Sequence, residues 1–395
     1  MKKINWIILK SKDRGIDYGV GTFIKQLSSG LASQDNIDVF ILEAGITKNK
    51  SFFLRQENGI TILEVPTPDG IIDTKRNQEK LSRNISRIVT QYIPKNRWNI
   101  IHMNYIFQYF IAMSLKKTLN GRIIFTQHVF VTSLKLQKNF FNTEFETYKR
   151  ADQIITVTQH GKKHLTKKGV DAKKIKCIYN GIDPEKFSKF SNVNIKSKYG
   201  LPKHEKLILY SGRIDNIKGL NYLCQAIQSL VNDIPDIRLV IAGDGDYNSL
   251  IKSTRNFSAH ISFLGFIPFK DLVVLYQEAD IGVIPSLEEH CSYVALEMLH
   301  SGLPVVASNL GGLKEIFINE ENALLVETIM DKTNGYGVAP KVENLRNKIN
   351  ILLTTKTLQI KLSRNAKTRA NSIFTTNNMV KEYILAINNL LINDK

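Results

Sequence analysis

The sequence predicts an α/β protein of two doubly wound domains that face each other across a cleft. Three observations predict it. The chain has 395 residues, too many for one ordinary core, and suits two domains of roughly 150–200 residues each. Short apolar runs alternate with longer amphipathic segments almost throughout, the pattern of βαβ units on a parallel sheet. The alternation stops at a polar stretch with Gly and two Pro, "YNGIDPEKFSKFSNVNIKSKYGLPKHE" (179–205), and then starts again. The domains are therefore expected over 1–190 and 191–374.

"INWIILK" (4–10) opens the first domain as a buried strand. It resembles the apolar region of a secretory signal, but "INWIIL" has only six residues before Lys10, short of the roughly 7–15 such a region needs. The helix-period segment "GTFIKQLSSGLASQ" follows, then the strand "DVFILEA". Farther on, "IIHMNY", "GRIIFTQH" and "QIITVTQ" read as strands, with "AMSLKKTLN" as a helix among them. In the second domain the strands are "KLILYSG", "IRLVIAGDG", "ISFLGF", "DIGVIPS", "LPVVAS" and "ALLVE". "NNMVKEYILAINNLLIND" (377–394) reads as an amphipathic helix.

Composition narrows the function. With 43% hydrophobic and 23% charged residues the chain is soluble and globular in type. No apolar run approaches the ~18–20 residues of a membrane span. Cys177, Cys224 and Cys291 show neither metal spacing nor an even disulfide set, which fits a reducing cytoplasm. The net charge of +18 is uneven. Residues 1–190 hold 32 Lys/Arg against 16 Asp/Glu, and 191–395 hold 22 against 20. The first half therefore carries nearly all the positive potential, as solvated charge or as a surface for an anionic partner.

Four stretches could carry chemistry. In "EEHCSYVALEM" (288–298), Ser292 is a good N-cap for the helix "YVALEMLHSG", and Gly302 sits where a C-cap belongs. Such a helix start after a strand is an anion site. Tyr293 begins the helix and Glu297 lies one turn on, where its carboxylate could accept from a ribose diol beside a bound phosphate. Glu289, in the loop, could face a sugar. Two Glu near a helix start also simply complement its dipole, and spacing leaves both readings open. In "LYSGRIDNIKGLNYLCQAI" (209–227), Arg213 and Lys218 flank a Gly-containing strand-to-helix turn and suit a diphosphate, or are surface cations.

In "DYGVGTFIKQL" (17–27), Gly19 and Gly21 permit close backbone approach at a helix start, without the G-x-G-x-x-G of a dinucleotide site. "FTQHVF" puts His128 at a strand's end, facing the cleft or held in the structure. "GDGD" (243–246) reads as a turn more than as a metal site. No nucleophile triad stands out. "KLQKNFFNTEFETYKR" reads as a helix with a wet basic face, so no nucleic-acid partner is expected.

Taken in order, these residues resemble one family: the retaining nucleotide-sugar glycosyltransferases of the GT-B fold, known as group 1 or family 4. "RADQIITVTQHGKKHLTKKGVDAKKIKCIYNGID" resembles that family's approach to its interdomain linker. "SGRIDNIKG" is similar to its G-R-x(n)-K-G segment. "EHCSYVALE" followed by "SGLPVVASNLGGLKEI" resembles its E-x7-E motif and the Gly-Gly loop after it. The resemblance is strongest from about 150 to 325.

It implies a first domain that binds the acceptor, a second that binds the donor, and a helix at about 375–395 that crosses back to the first. Arg213 and Lys218 would bind the donor diphosphate, with Ser292 and Tyr293 at the helix start. Glu297 would hold the ribose, Glu289 and His128 would meet the sugar, and the Gly19–Gly21 turn would line the phosphate side. The co-substrate would be a UDP- or GDP-linked sugar, with no cofactor and no metal. The acceptor would be a glycan, a lipid-linked sugar or a peptide. A cytoplasmic enzyme with a basic first domain would suit the inner face of an anionic membrane.

The chain departs from the family in two places. His290-Cys291-Ser292 stand where most members have small or Gly-containing residues, and "VETIMDKTNGYGVAPKVENLRNKI" (326–349) is longer than the usual stretch. The rival readings are a sugar-nucleotide epimerase of the same fold and a module that binds nucleic acid or an anionic surface.

Overall fold

The computed structural model describes residues 3–11, 19–45, 51–67, 75–129, 138–187 and 194–392, with the backbone alone over 138–142. The chain divides into two compact units, Met1–Gly181 with Thr376–Lys395, and Ile182–Thr375.

Unit 1 runs β1 (Ile4–Ser11), α1 (Val20–Ala32), β2 (Ile37–Gly45), β3 (Phe53–Glu57), β4 (Ile60–Pro66), α2 (Lys75–Val89), β5 (Trp98–Met103), α3 (Tyr109–Leu119), β6 (Arg122–Gln127), α4 (Lys138–Arg150), β7 (Gln153–Thr156), α5 (Gln159–Lys167) and β8 (Ile175–Cys177). The strands form one sheet in the order β3-β4-β2-β1-β5-β6-β7-β8, parallel except for β3 against β4. Trp6, Ile7, Ile8, Ile100 and Ile101 are fully buried, as inner strands covered on both faces require.

The strands expected from "INWIILK" to "QIITVTQ" are all present. The sequence reading passes over β3, β4 and β8. β3 is an edge strand whose residues are mostly exposed, and β8 has three residues. Neither leaves an apolar run. Asn58-Gly59 joins β3 to β4 with φ of 50° and 76°, the Asn-Gly turn of a tight hairpin.

Unit 2 runs α6 (Ile195–Lys198), β9 (Lys206–Ser211), α7 (Leu220–Leu230), β10 (Ile237–Ala242), α8 (Tyr247–Thr254), β11 (Ile261–Gly265), α9 (Phe269–Glu278), β12 (Ile281–Ile284), α10 (Tyr293–Ser301), β13 (Val305–Ser308), α11 (Leu313–Ile316), β14 (Leu324–Val326), β15 (Thr328–Asp331), β16 (Gly337–Pro340), α12 (Val342–Thr354) and α13 (Lys356–Ile373). Its parallel sheet has the order β11-β10-β9-β12-β13-β14, and β15 and β16 form a separate antiparallel hairpin. Unit 2 begins at Ile182, inside the polar linker. The reason is Phe187, which packs edge-on against Phe269 of α9 at 5.8 Å and stacks on His300 of α10 at 5.5 Å. The second crossing lies beside the first: Ile182 bridges Thr375 and donates its N–H to the Phe374 carbonyl at 2.9 Å.

The last helix, α14 (Thr376–Ile392), packs on α1 of unit 1. Thr376 Oγ1 donates to Gln26 Oε1 at 3.0 Å, and a Cβ at Gly30 would lie 2.6 Å from the Val380 side chain. The Tyr383 hydroxyl bonds Thr126 at 2.8 Å inside the core.

Each sheet reverses its strand order once. In unit 1 the chain builds outward from β1 to β2 and β4, then returns to the other side of β1 with β5. In unit 2 it builds from β9 to β10 and β11, then returns beside β9 with β12. Loops leaving two adjacent strands at such a reversal diverge and open a crevice at the carboxyl ends. Arg213 and Lys218 follow β9, and Glu289 follows β12, so the reversal of unit 2 explains why those stretches meet.

Candidate active site

The loop from β9 to α7 is held by backbone contacts. Ile214 donates its N–H to the Asp244 carbonyl at 2.8 Å, and Asp246 donates back to the Ile214 carbonyl at 3.0 Å. "GDGD" therefore runs against the Arg213 loop main chain to main chain. A Cβ at Gly243 would lie 1.8 Å from the Gly212 oxygen, which is why that stretch is glycine-rich. Asp246 caps α8 by accepting from Ser249, so it is a structural cap. Among the described residues no group of three or more His, Cys, Asp or Glu is placed to hold a metal ion.

Arg213 reaches Asp215 at 3.1 Å, and its carbonyl accepts from the Tyr210 hydroxyl at 2.7 Å. Burial pushes the Tyr210 phenol far up, with the nearby Glu289 and Asp215 carboxylates acting the same way and Arg213 opposing them. Gly219 has φ 67°, and a Cβ there would lie 2.0 Å from the Pro285 carbonyl oxygen. That close approach, with Leu287 N–H donating to the Ile217 carbonyl at 2.8 Å, locks the β9–α7 loop onto the β12–α10 loop.

The result is an ion pair between Lys218 Nζ and Glu289 Oε1, which also accepts from Ser286 Oγ at 3.2 Å. The Glu289 backbone is pinned from another side, since its carbonyl accepts from Gly312 of the Gly-Gly loop at 2.9 Å. Ser292 caps α10, accepting from Ala295 N at 3.3 Å, and Gly302 ends the helix in the left-handed conformation. Tyr293 is buried at the first position of α10. In the departure segment, His290 Nε2 lies 3.4 Å from Glu288, and Cys291 is half-buried and unbridged.

Glu297 faces inward from the second turn of α10. Its Oε2 accepts from the Tyr276 hydroxyl of α9 at 2.9 Å, and Ser211, at the end of β9, bonds the same hydroxyl at 2.7 Å. The residue keeps partial access, but its carboxyl is enclosed by protein. Lost hydration pushes its pKa up to about 7, with the Tyr276 bond pulling the other way.

Unit 1 holds the remaining candidates. Gly19 is the N-cap of α1, with open space where a side chain would stand, and Gly21 is buried in the first turn. Residues 12–18, which precede them, lie outside the described residues. His128 follows β6 and meets Phe23 of α1 in a T-shaped contact, with 4.6 Å between the ring centroids. Its Nε2 lies 3.1 Å from Asn104 Oδ1. Asn104 Nδ2 donates to the Leu9 carbonyl, which orients the amide and assigns the hydrogen of a neutral His128 to Nε2. Gln108 donates to the same Leu9 carbonyl at 3.0 Å.

Sequence reasoning missed Tyr276, Ser211, Asn104 and Phe23. Tyr276 and Phe23 lie inside helices and Ser211 ends β9, where their types look like ordinary core, while Asn104 follows β5, and only the fold brings each to a motif residue. The long stretch after β14 is the hairpin β15–β16. It is tied to α7, as the Tyr222 hydroxyl donates to Asp331 at 2.7 Å and accepts from Asn334 Nδ2 at 3.1 Å. Burial pushes the Tyr336 phenol in its turn up, with the Asp215 and Glu288 carboxylates acting the same way and Arg213 opposing them.

Comparison with known proteins agrees with this architecture. Residues 18–186 match the family model Glycosyltransferase Family 4, and 191–369 match Glycosyl transferases group 1. An uncharacterized glycosyltransferase of Methanocaldococcus jannaschii is 31% identical over 58% of this chain and 63% of its own length. Among solved structures, sucrose-phosphate synthase from Thermosynechococcus elongatus superposes with a TM-score of 0.80 at 20% identity, covering 99% of this chain and 100% of that one. Anabaena HepE in complex with UDP-glucose gives 0.75 at 16% identity, covering 98% and 99%. The two family models, laid end to end, span most of the chain, and the fold it shares with these structures over nearly their whole length is the GT-B fold.

Proposed function

We propose that the protein transfers a glycosyl group from a nucleoside-diphosphate sugar to an acceptor with retention of anomeric configuration. The observation that carries this reading is the joined pair of loops after β9 and β12. It puts two cations, an inward carboxylate and the start of α10 on one rim. Arg213 and Lys218 take the diphosphate, with the free N–H groups of α10 beside them. Glu297 accepts from the ribose diol. Glu289 exchanges Lys218 for the donor sugar as the diphosphate claims the lysine.

In the transfer, the bond from the anomeric carbon to the phosphate oxygen breaks, and a bond to the acceptor oxygen forms on the same face. The acceptor's proton passes to the leaving phosphate. The cations stabilise the developing charge, so the reading assigns no metal to this step. Gly19 and Gly21 are assigned to the phosphate side and His128 to the sugar. A uridine donor is favoured by the HepE complex with UDP-glucose.

The test is a thermal-shift screen against UDP, GDP, ADP, CMP and NAD, with and without EDTA. A ligand that binds only the native state raises its melting temperature. A rise with UDP or GDP, unchanged by EDTA, supports the reading and names the base. A rise with NAD alone overturns it.

A docking reading has its own observation. Arg76, Lys80, Arg83 and Arg87 are exposed along α2, while Ser82, Ile85, Ser86 and Val89 are buried. Their spacing makes a basic stripe, which suits an anionic membrane bearing a lipid-linked acceptor. Cosedimentation with anionic but not neutral vesicles, lost on reversing two of these charges, checks it.

A further inference from the structure

We infer that Tyr276 is a positioning residue for donor binding: with Ser211 it forms a hydroxyl relay that keeps the Glu297 carboxylate ionised and aimed for the ribose diol. This rests on the assignment of Glu297 to the ribose, and it deepens that assignment.

The relay is buried and continuous. Tyr276 is 1% exposed and Ser211 5%. The distances are 2.7 Å from Ser211 Oγ to the phenol and 2.9 Å from the phenol to Glu297 Oε2. A phenol has one proton to give. When Glu297 is ionised, Tyr276 donates to it and Ser211 donates to Tyr276. When Glu297 is protonated it becomes the donor, and both bonds reverse. The relay thus has two polarities, and only the ionised one leaves Glu297 wholly an acceptor, with the lone pairs not taken by Tyr276 open to ribose hydroxyls. Ser211 is also the last residue of β9, two before Arg213. The same three side chains therefore tie the diphosphate loop to the ribose carboxylate.

The elements packed on α10 offer no substitute. From α13, Lys367 packs against Gly302 at the far end of the helix, and Arg369 is held by the Glu315 and Ile316 carbonyls. Lys314 and Glu315 lie on α11, and Glu185 and Lys186 on the short turn 184–187. Among the described residues Tyr276 is the group whose bond lowers the Glu297 pKa, against the cost of lost hydration. Removing the phenol oxygen leaves that cost unopposed and drives the carboxyl further toward its neutral form.

The experiment measures dissociation constants for unaltered protein, Tyr276→Phe, Ser211→Ala and Glu297→Gln between pH 6 and 9. The probe is whichever of UDP, GDP and ADP binds the unaltered protein most tightly, since all three carry the same ribose and diphosphate. Its 2′,3′-dideoxy form is the control. The ratio of variant to unaltered constants at each pH cancels the nucleotide's own phosphate titration.

Tyr276→Phe is expected to weaken binding by about fivefold near pH 7 and about tenfold near pH 6, the effect of a one-unit pKa rise on a carboxyl that must be ionised. The gap should close by pH 9, and Ser211→Ala should show the same trend at smaller size. A Tyr276→Phe ratio that is flat with pH, or equal to one, overturns the relay. A Glu297→Gln variant that binds as tightly as the unaltered protein, or a dideoxy probe that binds like its parent, overturns the ribose assignment itself. Failure of all three nucleotides to bind overturns both.

Discussion

Lys218 and Glu289 neutralise one another at the point where the reading needs a bare cation and a bare carboxylate. The pair keeps both groups satisfied inside a partly closed rim, where either charge alone would be costly. It also means that a diphosphate must displace Glu289. Glu289→Gln should therefore bind UDP or GDP at least as tightly as the unaltered protein, because Lys218 is released. Its turnover should fall by about two orders of magnitude, the scale of losing one transition-state contact. Weaker nucleotide binding in that variant, measured by calorimetry, would show that Glu289 belongs to the diphosphate subsite.

The elements that carry the site were legible for a physical reason. Ser292, Gly302 and the apolar run before Pro285 are local signals, and each does in the fold what its type does in a short peptide. Arg213 and Lys218 were legible as a pair because a strand-to-helix turn concentrates them. Partners such as Tyr276 and Ser211 were not, since a hydroxyl inside an apolar element has no local pattern. The Asn58-Gly59 hairpin carried its signal plainly, and only the polar face of β3 hid the strand.

Loop closure gives a test at this scale. Gly219→Ala puts a Cβ against the Pro285 carbonyl in a left-handed backbone and should cost about 2 kcal/mol or more, together with nucleotide binding. Gly169→Ala, with φ 84° and open space around it, should cost only about 1 kcal/mol and leave binding intact. Equal losses in the two variants would show that the loops are not locked there. The hairpin β15–β16 is tied to α7, the helix that follows the diphosphate loop. Tyr222→Phe removes its link to Asp331 and should raise the donor KM with little change in melting temperature.

At the scale of the whole molecule the two units differ in how they answer acid. In unit 1, burial and then the neighbouring His128 hold the His102 pKa down at about 3. The unfolded chain takes a proton below about 6.5 and the folded chain does not, so stability present above that pH is lost as pH falls, by about 1.4 kcal/mol per unit. In unit 2 the raised pKa of Glu297 has the opposite sign. The folded state binds that proton more tightly, so its contribution is fully present below about 4.5 and is lost as pH rises through 7. His300 of unit 2, whose pKa burial also lowers, opposes Glu297 there, so scanning calorimetry at pH 7 and pH 5 should move the unit 1 transition down by more than that of unit 2. His102→Gln should flatten the unit 1 response, and equal downward shifts of both transitions would refute this division.

The return of α14 to unit 1 also sets an order of events during synthesis. Phe23 and the surface at Gly30 leave the ribosome early, yet their cover at Tyr383 and Val380 is translated only after all of unit 2. At roughly 5–20 residues per second, the first unit waits on the order of ten to forty seconds with one helix face bare, while the second is already able to close. A nascent chain halted at residue 375 should accordingly be cut by a brief protease pulse within its first 181 residues and spared beyond them. The unit made first is then the unit finished last, and until that moment it is the one that needs a chaperone.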